Sequence, residues 1–523
     1  MRTVWKALCC MSVALVLWSS TLAEEGKIAG KTAEEIDQQI ISEVKANHEI
    51  LKNLTHLSDV IGPRMTGSAN LKKANDWAAE KFKSYGLENV KLEPYTIPAT
   101  WERGFARMKM TEPHTRWLTV ASRAWTPGTS GKLTGEVVFI PQGISQEALN
   151  KHKGKLKNAI VMRNQPADVR PISDIGKPRD PANMPRRRPP AGGDGGEMAR
   201  SVDQFLRAEG VACTVTDSAK PHGLLNMTGS WGGRNRAEAG DPLPSVFMTH
   251  DDYALLHRLV TRKDASPVKI EVEIEAKIIP ETATVYNTVG EIKGSEKPDE
   301  FVVIGAHIDS WDLASGTTDN GTGTSVVLES ARVLGKLAQA GIRPKRTIRF
   351  CLFSGEEQGL HGSRAYVETH KDELPKISMA LVHDTGTGKV IRLPLQGRNA
   401  IKDFMTKELP QLKELNVEVT TGSQGGTDHL PFEGKGVPGF AFHQDPAEYT
   451  LTHHSQSDTL DKARQPDLIQ GSQVMATIAM RVANLPELLS REKKTPEEKK
   501  KEEEARKAEE TKKEESKKEE TKK

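Results

Sequence analysis

Five short segments gather ionisable side chains of the kinds that do hydrolytic chemistry. They are His307 and Asp309 in AHIDS, Asp319 in TTDNGTG, Glu356 and Glu357 in SGEEQG, Asp384 in LVHDTG, and His453, His454 and Asp458 in THHSQSDT. An isolated His or Asp in a loop is ordinarily a hydrogen-bonded surface residue, so the argument rests on the set. If the segments meet, Asp319, Glu356, Glu357 and Asp384 crowd four carboxylates against His307 and His454. Carboxylates so gathered repel one another and become protonated or disperse unless cations compensate them. Two divalent ions supply that charge. Mixed imidazole and carboxylate ligation without thiolate suits Zn2+ in an open, catalytic site, with Mn2+ or Co2+ as alternatives. Two ions about 3.5–4 Å apart can share a water and bring its pKa toward neutrality.

Convergence depends on the elements that carry these residues. Phe301–Ala306 (FVVIGA), Thr347–Phe353 (TIRFCLF) and Met379–Val382 (MALV) are short continuous apolar runs, the pattern of strands buried on both faces. His307 and Asp309 follow the first run, Glu356 and Glu357 the second, Asp384 the third. Sites in open α/β sheets form beyond the carboxyl ends of the strands, so the three clusters are expected to share one crevice. Asp319 heads a predicted helix containing Val326, Val327, Ala331 and Leu334. From 285 to 490 the texture is strand, loop, helix, repeated, which predicts a mixed α/β sheet sandwiched by helices. Residues 24–115 contribute its first part, including a helix over Ser68–Tyr85 with Ser68 as cap and Gly86 as stop. Residues 116–284 read as short β-like runs (GEVVFI, AIVM, ACTVT, PSVFMT, KIEVEIEAKI) and predict a mostly-β inserted domain. Within it, 165–196 is dense in Pro, Gly and Arg and reads as a long mobile loop.

The motifs AHIDSWD, TTDNGTG, SGEEQGLHGS, the Asp384 strand end, GTDHLPFEGKGVP and HHSQSDT, in this order, resemble the di-zinc exopeptidase family of bacterial leucyl aminopeptidase and glutamate carboxypeptidase. GPRMTGSAN and TWERG are similar to its plasma glutamate carboxypeptidase branch. The resemblance implies a zinc aminopeptidase-like fold and makes the inserted region a protease-associated domain. It implies that Asp319 bridges two Zn2+, that His307 and Asp384 complete one ion, and that Glu357 and His454 complete the other. Glu356 would be the general base, and a peptide the substrate. Asp309 and Asp458, near the two histidines, are candidates to orient the imidazoles, and Asp428 and His429 to line the substrate pocket. His453 is the alternative to His454, disfavoured by the family spacing. Whether the action is that of an aminopeptidase, a carboxypeptidase or a dipeptidase stays open. A glutaminyl cyclase-like zinc acyltransferase using one metal and a non-catalytic binding protein on the same scaffold are the competing readings; retention of every candidate ligand argues against both.

Charge and termini bound the rest. The 523 residues hold 74 Lys+Arg and 71 Asp+Glu, a formal +3. Without the two basic residues of 1–23 and the 14 basic and 12 acidic residues of 491–523, the body has 58 basic and 59 acidic residues, a net of −1. That balance offers no footprint for nucleic acid. Residues 1–23 read as an export signal, with Arg2 and Lys6 before the apolar Ala7–Trp18 and a small-residue site at Thr21–Ala23. The apolar part is too short to span a bilayer. A secreted or periplasmic chain, without a membrane span once the signal is removed, is expected, and a homodimer is allowed. Cys213 and Cys351 are read as buried free thiols, and 491–523 as a solvated Lys/Glu tail.

Overall fold

The computed structural model describes residues 28–169, 194–231, 242–264, 266–495, 497–498 and 500–501. The expected export signal, most of segment 165–196 and most of the Lys/Glu tail lie outside the described residues.

The main sheet has six strands: β1 (Glu88–Ile97), β2 (Ala283–Ile292), β3 (Lys297–His307), β4 (Arg346–Phe353), β5 (Ile377–Val382) and β6 (Gly439–Ala441). Their spatial order is β1-β2-β4-β3-β5-β6. β1, β2 and β4 pair antiparallel, whereas β4, β3, β5 and β6 run parallel. The three apolar runs are therefore adjacent central strands. Their register aligns the ends, with His307 beside Phe353 and Gly305 beside Val382.

The continuous apolar runs separate into two faces with the strand period of two. Val302, Ile304 and Ala306 of β3 and Ile348, Phe350 and Leu352 of β4 enter one core; Phe301, Val303, Cys351 and Phe353 enter the other. Helices α1 (Ala33–Asn47), α2 (Ala69–Ser84), α3 (Thr322–Gln339), α4 (His361–Thr369), α5 (His429–Gly434) and α6 (Gln465–Ala483) cover them. Those of the first face are α1, α2, α3 and α6, through residues such as Ile40, Phe82, Val327 and Ile478. Tyr366 and Val367 of α4 and Phe432 of α5 close the second face. Helix α2 starts where the sequence predicts: Ser68 Oγ accepts the amide of Leu71 at 3.1 Å, and Gly86 follows the helix in the left-handed region. Full burial of each Val, Leu, Ile or Phe side chain contributes about 1.5–3 kcal/mol, so this double-sided core is what holds the strand ends in place.

A second sheet is built from eight strands between Thr100 and Ile279. The expected runs are all strands, and Thr100–Glu112, ahead of the expected boundary at 116, pairs with Lys269–Ile279 in the same sheet. The region is less purely β than predicted. Leu133–Phe139, Ile160–Met162, Cys213–Asp217 and Ser245–Met248 pair parallel, with helices Gln146–Asn150 and Asp194–Ala208 between them and helix His250–Thr261 after the last. Parallel neighbours need crossovers, and strands as short as Ile160–Met162 and Ser245–Met248, buried at every residue, carry no alternation that would have announced it. Cys213 and Cys351 are buried and free. Among the described residues no helix is long and apolar enough to cross a membrane.

Candidate metal centre

The three strand ends deliver their acids to one place. His307, the last residue of β3, is buried, and its Nε2 lies 3.2 Å from Asp384 Oδ1, 3.3 Å from Asp319 Oδ1 and 4.0 Å from Glu356 Oε2. On the other side of Asp319, Oδ2 is 3.3 Å from His454 Nε2, which is 3.0 Å from Glu357 Oε2. Asp319 thus stands between two imidazoles, each with a second carboxylate. His453 stacks on His454 with centroids 3.6 Å apart but is farther from Asp319 Oδ2, at 3.8 Å, and more exposed. Of the two histidines, His454 is the one that also meets Glu357.

The supporting groups follow from the loops. Asp319 and Asn320 depart from helical geometry and are joined by a cis peptide bond, immediately ahead of α3. Asp458 is buried and accepts the amide and hydroxyl of Thr318, at 2.5 and 2.8 Å, and the amide of Asp319 at 3.2 Å. Expected to orient the His454 imidazole, it clamps the Asp319 loop instead, because the chain after His454 turns back beneath that loop. Asp309 accepts from the amides of Glu356 (3.3 Å) and Glu357 (3.4 Å) and from Thr66 Oγ1 (2.9 Å), while its carboxylate lies 3.6 Å from His307 Nδ1. Its main-chain carbonyl is nearer to that nitrogen, at 3.1 Å.

Asp428 and His429 lie at the start of α5. Asp428 accepts from Ser363 Oγ of α4 and is pushed up to about 7 by burial, with Asp384 and Asp309 adding to the effect. His429 turns away: Nε2 meets the Gln424 carbonyl at 3.0 Å, and burial lowers the ring to about 4. The structure therefore brings Asp428 into the field of the centre and ties His429 to the neighbouring Gln424 loop.

Three residues that sequence reasoning did not single out complete the surroundings. Arg64, from GPRMTG, is fully buried and its guanidinium sends every hydrogen bond to a main-chain carbonyl: Ile308 (2.7 Å), Gly62 (3.0 Å), Leu57 (3.4 Å), Ser315 (2.8 Å) and Gly316 (2.6 Å). It braces both ends of the segment between His307 and Asp319. Gly316 has φ +62° and a Cβ there would meet Ser310 Cβ at 2.2 Å and Arg64 Nη2 at 2.9 Å, so only glycine fits. Arg103, from TWERG on the second sheet, grips Asp312 of the same segment through Nε (3.0 Å) and Nη2 (2.8 Å). Burial, then the charges of Asp319, Asp384, Glu357 and Glu356, raise the Tyr449 phenol well above its ordinary value, so it stays neutral. Arg64 and Arg103 had a sequence signal, their place in GPRMTGSAN and TWERG, whereas Tyr449 had none.

The electrostatics describe a centre that requires positive charge. Burial raises Glu356 well above the ordinary carboxylate value, with Asp384, Asp428 and Glu357 adding to it, and raises Glu357 to about 7. Burial opposes protonation of His307 and His454, yet the surrounding acids win, lifting His307 well above the usual imidazole value and His454 to about 10. The centre thus holds on to protons to balance its acids. Donor atoms of His307, Asp319 and Glu357 lie within 4.8 Å of one another. Asp319 Oδ2, although 3.3 Å from His454 Nε2, accepts no aligned hydrogen bond, and Glu357 Oε1 is buried without a partner. Buried orphan carboxylate oxygens beside imidazoles are the donor set of a divalent cation, and the residues around Asp319 fit that donor set.

Residues 287–479, which include β3 to β6 of the main sheet and the end of β2, match peptidase family M28. Carboxypeptidase Q of Rattus norvegicus is 30% identical over 449 residues, 86% of this chain and 88% of that one. The chain belongs to peptidase family M28. It is accordingly a metallopeptidase, a hydrolase of peptide bonds. Carboxypeptidase Q of Homo sapiens is 29% identical over 455 residues. The crystal structure of a peptidase M28 precursor from Shewanella amazonensis superposes with a TM-score of 0.69 at 26% identity, covering 88% of this chain and 98% of that one. The zinc aminopeptidase of Bacillus subtilis shares the fold, with a TM-score of 0.57 at 22% identity over 82% of this chain and 93% of its own.

Proposed function

We propose that this M28 metallopeptidase is an exported zinc-dependent exopeptidase that hydrolyses dipeptides or short peptides. The observation that carries the reading is Asp319 standing between His307 with Asp384 on one side and His454 with Glu357 on the other. In it Asp319, with His307 and Asp384 on one side and Glu357 and His454 on the other, would hold two Zn2+. Bound there, the ions supply Lewis acidity to water and to the scissile carbonyl.

The remaining roles fall to side chains. Glu356 takes the proton of the attacking water and passes it to the leaving amine. Its buried position and its raised affinity for a proton suit a group that must both accept and release one. Asp309 supports this by holding the amides of the Glu356–Glu357 turn. Asp458 fixes Asp319 through the Thr318 and Asp319 amides, and Asp428 lies at the substrate side. The export signal at 1–23 and a protease-associated-like inserted domain belong to the same reading.

Elemental analysis of the purified protein, run with dipeptide hydrolysis by the natural sequence and by Glu356→Gln, tests it. The expected result is two zinc ions per chain in both proteins and a loss of kcat of roughly 10²–10⁴-fold in the variant. Undiminished turnover would remove Glu356 from its role. One metal per chain together with cyclisation of N-terminal glutamine would replace the peptidase reading with acyl transfer.

A further inference from the structure

The second sheet reaches the metal centre with a cation. Beyond its strand Cys213–Asp217 the chain carries the half-buried Lys220, whose Nζ donates to the main-chain carbonyl of His453 at 2.7 Å. The same stretch is fastened to the His453–Gln456 loop twice more, by the Leu225 amide donating to Gln456 Oε1 at 2.6 Å and by a β-bridge between Asn226 and Ser455. Lys220 is therefore seated on the loop that bears His453 and His454, and its charge acts on Asp319 and His453.

Its free bonding capacity sets it apart. An ammonium has three N–H donors, and among the described residues the His453 carbonyl is the acceptor Lys220 has. Two other cations among the described residues near the centre are spent: Arg64 is sealed in by five carbonyls, and Arg103 is closed on Asp312. Lys220 also stands on the open side, since His453, on which it rests, is the more exposed of the two stacked imidazoles.

A short peptide brings its own charges to this place. Its terminal carboxylate, close to the scissile bond in any dipeptide, would approach Glu356, Glu357, Asp384 and Asp428. A cation with spare donors is what such a group needs, and an ammonium, as a rotatable point charge, accepts a carboxylate without demanding one fixed geometry. We propose that Lys220 is a specificity-determining residue that binds the free α-carboxylate of the substrate, which makes short peptides with an unblocked C-terminus the substrate class. This rests on the peptidase reading above and resolves the direction of attack that the sequence left open.

The test compares alanyl-leucine with its C-terminal amide as substrates of the zinc-loaded protein, natural and with Lys220→Gln or Lys220→Arg. Glutamine can still donate to the His453 carbonyl but carries no charge, so it separates a support of the loop from a carboxylate receptor. Metal content and thermal midpoint of each variant are recorded alongside. The natural enzyme is expected to prefer the free acid by at least about tenfold. Lys220→Gln is expected to lose roughly 10–100-fold in kcat/KM on the free acid, mostly in KM, and little on the amide, so that the preference collapses, while Lys220→Arg retains most of it. An equal loss on both substrates, or no loss on either, overturns the assignment and leaves the peptidase reading standing. Failure of the natural enzyme to cleave either peptide overturns both.

Discussion

Replacing Arg64 by methionine removes a buried guanidinium at nearly constant chain length and isolates what it does for the centre. Five carbonyls lose their donor, four of them bonded at 3.0 Å or less. Hydrogen bonds to a charged group contribute about 1.5–3 kcal/mol each, and buried acceptors left unmade cost about 1–3 kcal/mol. Against this stands the relief of no longer burying a charge, whose cost is visible in a guanidinium lowered to about 10 by its own burial. Crediting each of the four shorter bonds with the neutral value of about 1 kcal/mol gives a net loss of about 4 kcal/mol, in the range reserved for broken buried networks. The loss falls on the segment between His307 and Asp319, so metal affinity is expected to drop about 10–100-fold, as for other groups that orient ligands. Denaturant unfolding of the stripped protein measures the first quantity and competition with a chelator the second. Arg346→Met is the control. That side chain is equally buried and bonds the Leu485 and Pro486 carbonyls at the far end of β4, so it is expected to lose stability and keep its metal affinity. A stability loss below about 1 kcal/mol in Arg64→Met, with unchanged metal affinity, would refute the brace.

Two further outcomes follow from the centre itself. Asp458→Ala leaves the Thr318 and Asp319 amides without their acceptor and is expected to cost about 2–4 kcal/mol and to release metal on dialysis, whereas Asp458→Asn keeps an acceptor oxygen and does less. Full metal content in the alanine variant would contradict this. In the metal-free protein Glu357, Asp428 and Asp458 are each raised to about 7 and His454 to about 10. A group whose pKa is raised by folding stabilises the fold below its unfolded value and loses that contribution as pH climbs through the folded one. His383 and His429, lowered to about 4 by burial, act in the opposite sense only below their unfolded value of 6.5. The thermal midpoint of chelated protein should therefore fall between pH 6.5 and 9, and zinc should flatten the slope; a flat or rising midpoint without metal is the refuting result.

The chemistry of the centre was legible because its carriers announce themselves. FVVIGA, TIRFCLF and MALV have the pattern of strands buried on both faces, and acids placed just past such strands are expected to share one crevice. Ser68 and Gly86 delimited α2 in the same local way. The parallel half of the second sheet was not legible, since Ile160–Met162 and Ser245–Met248 are too short for a period to form. Asp458 was recognised as important and given the wrong neighbour: its separation from His454 along the chain says nothing about which loop passes over it.

Residue types, order and strand-end placement, all local properties, thus carried the family resemblance, the candidate ligands and the candidate base. Which groups brace the centre was decided by packing between segments distant in sequence. Arg64 meets Gly316 across 252 residues, Arg103 meets Asp312 across 209, and Lys220 meets His453 across 233. No periodicity or cap encodes such pairs. A buried or half-buried cation takes its acceptors from whatever carbonyls and carboxylates the finished core presents, and only the tertiary structure shows which donors remain for a substrate.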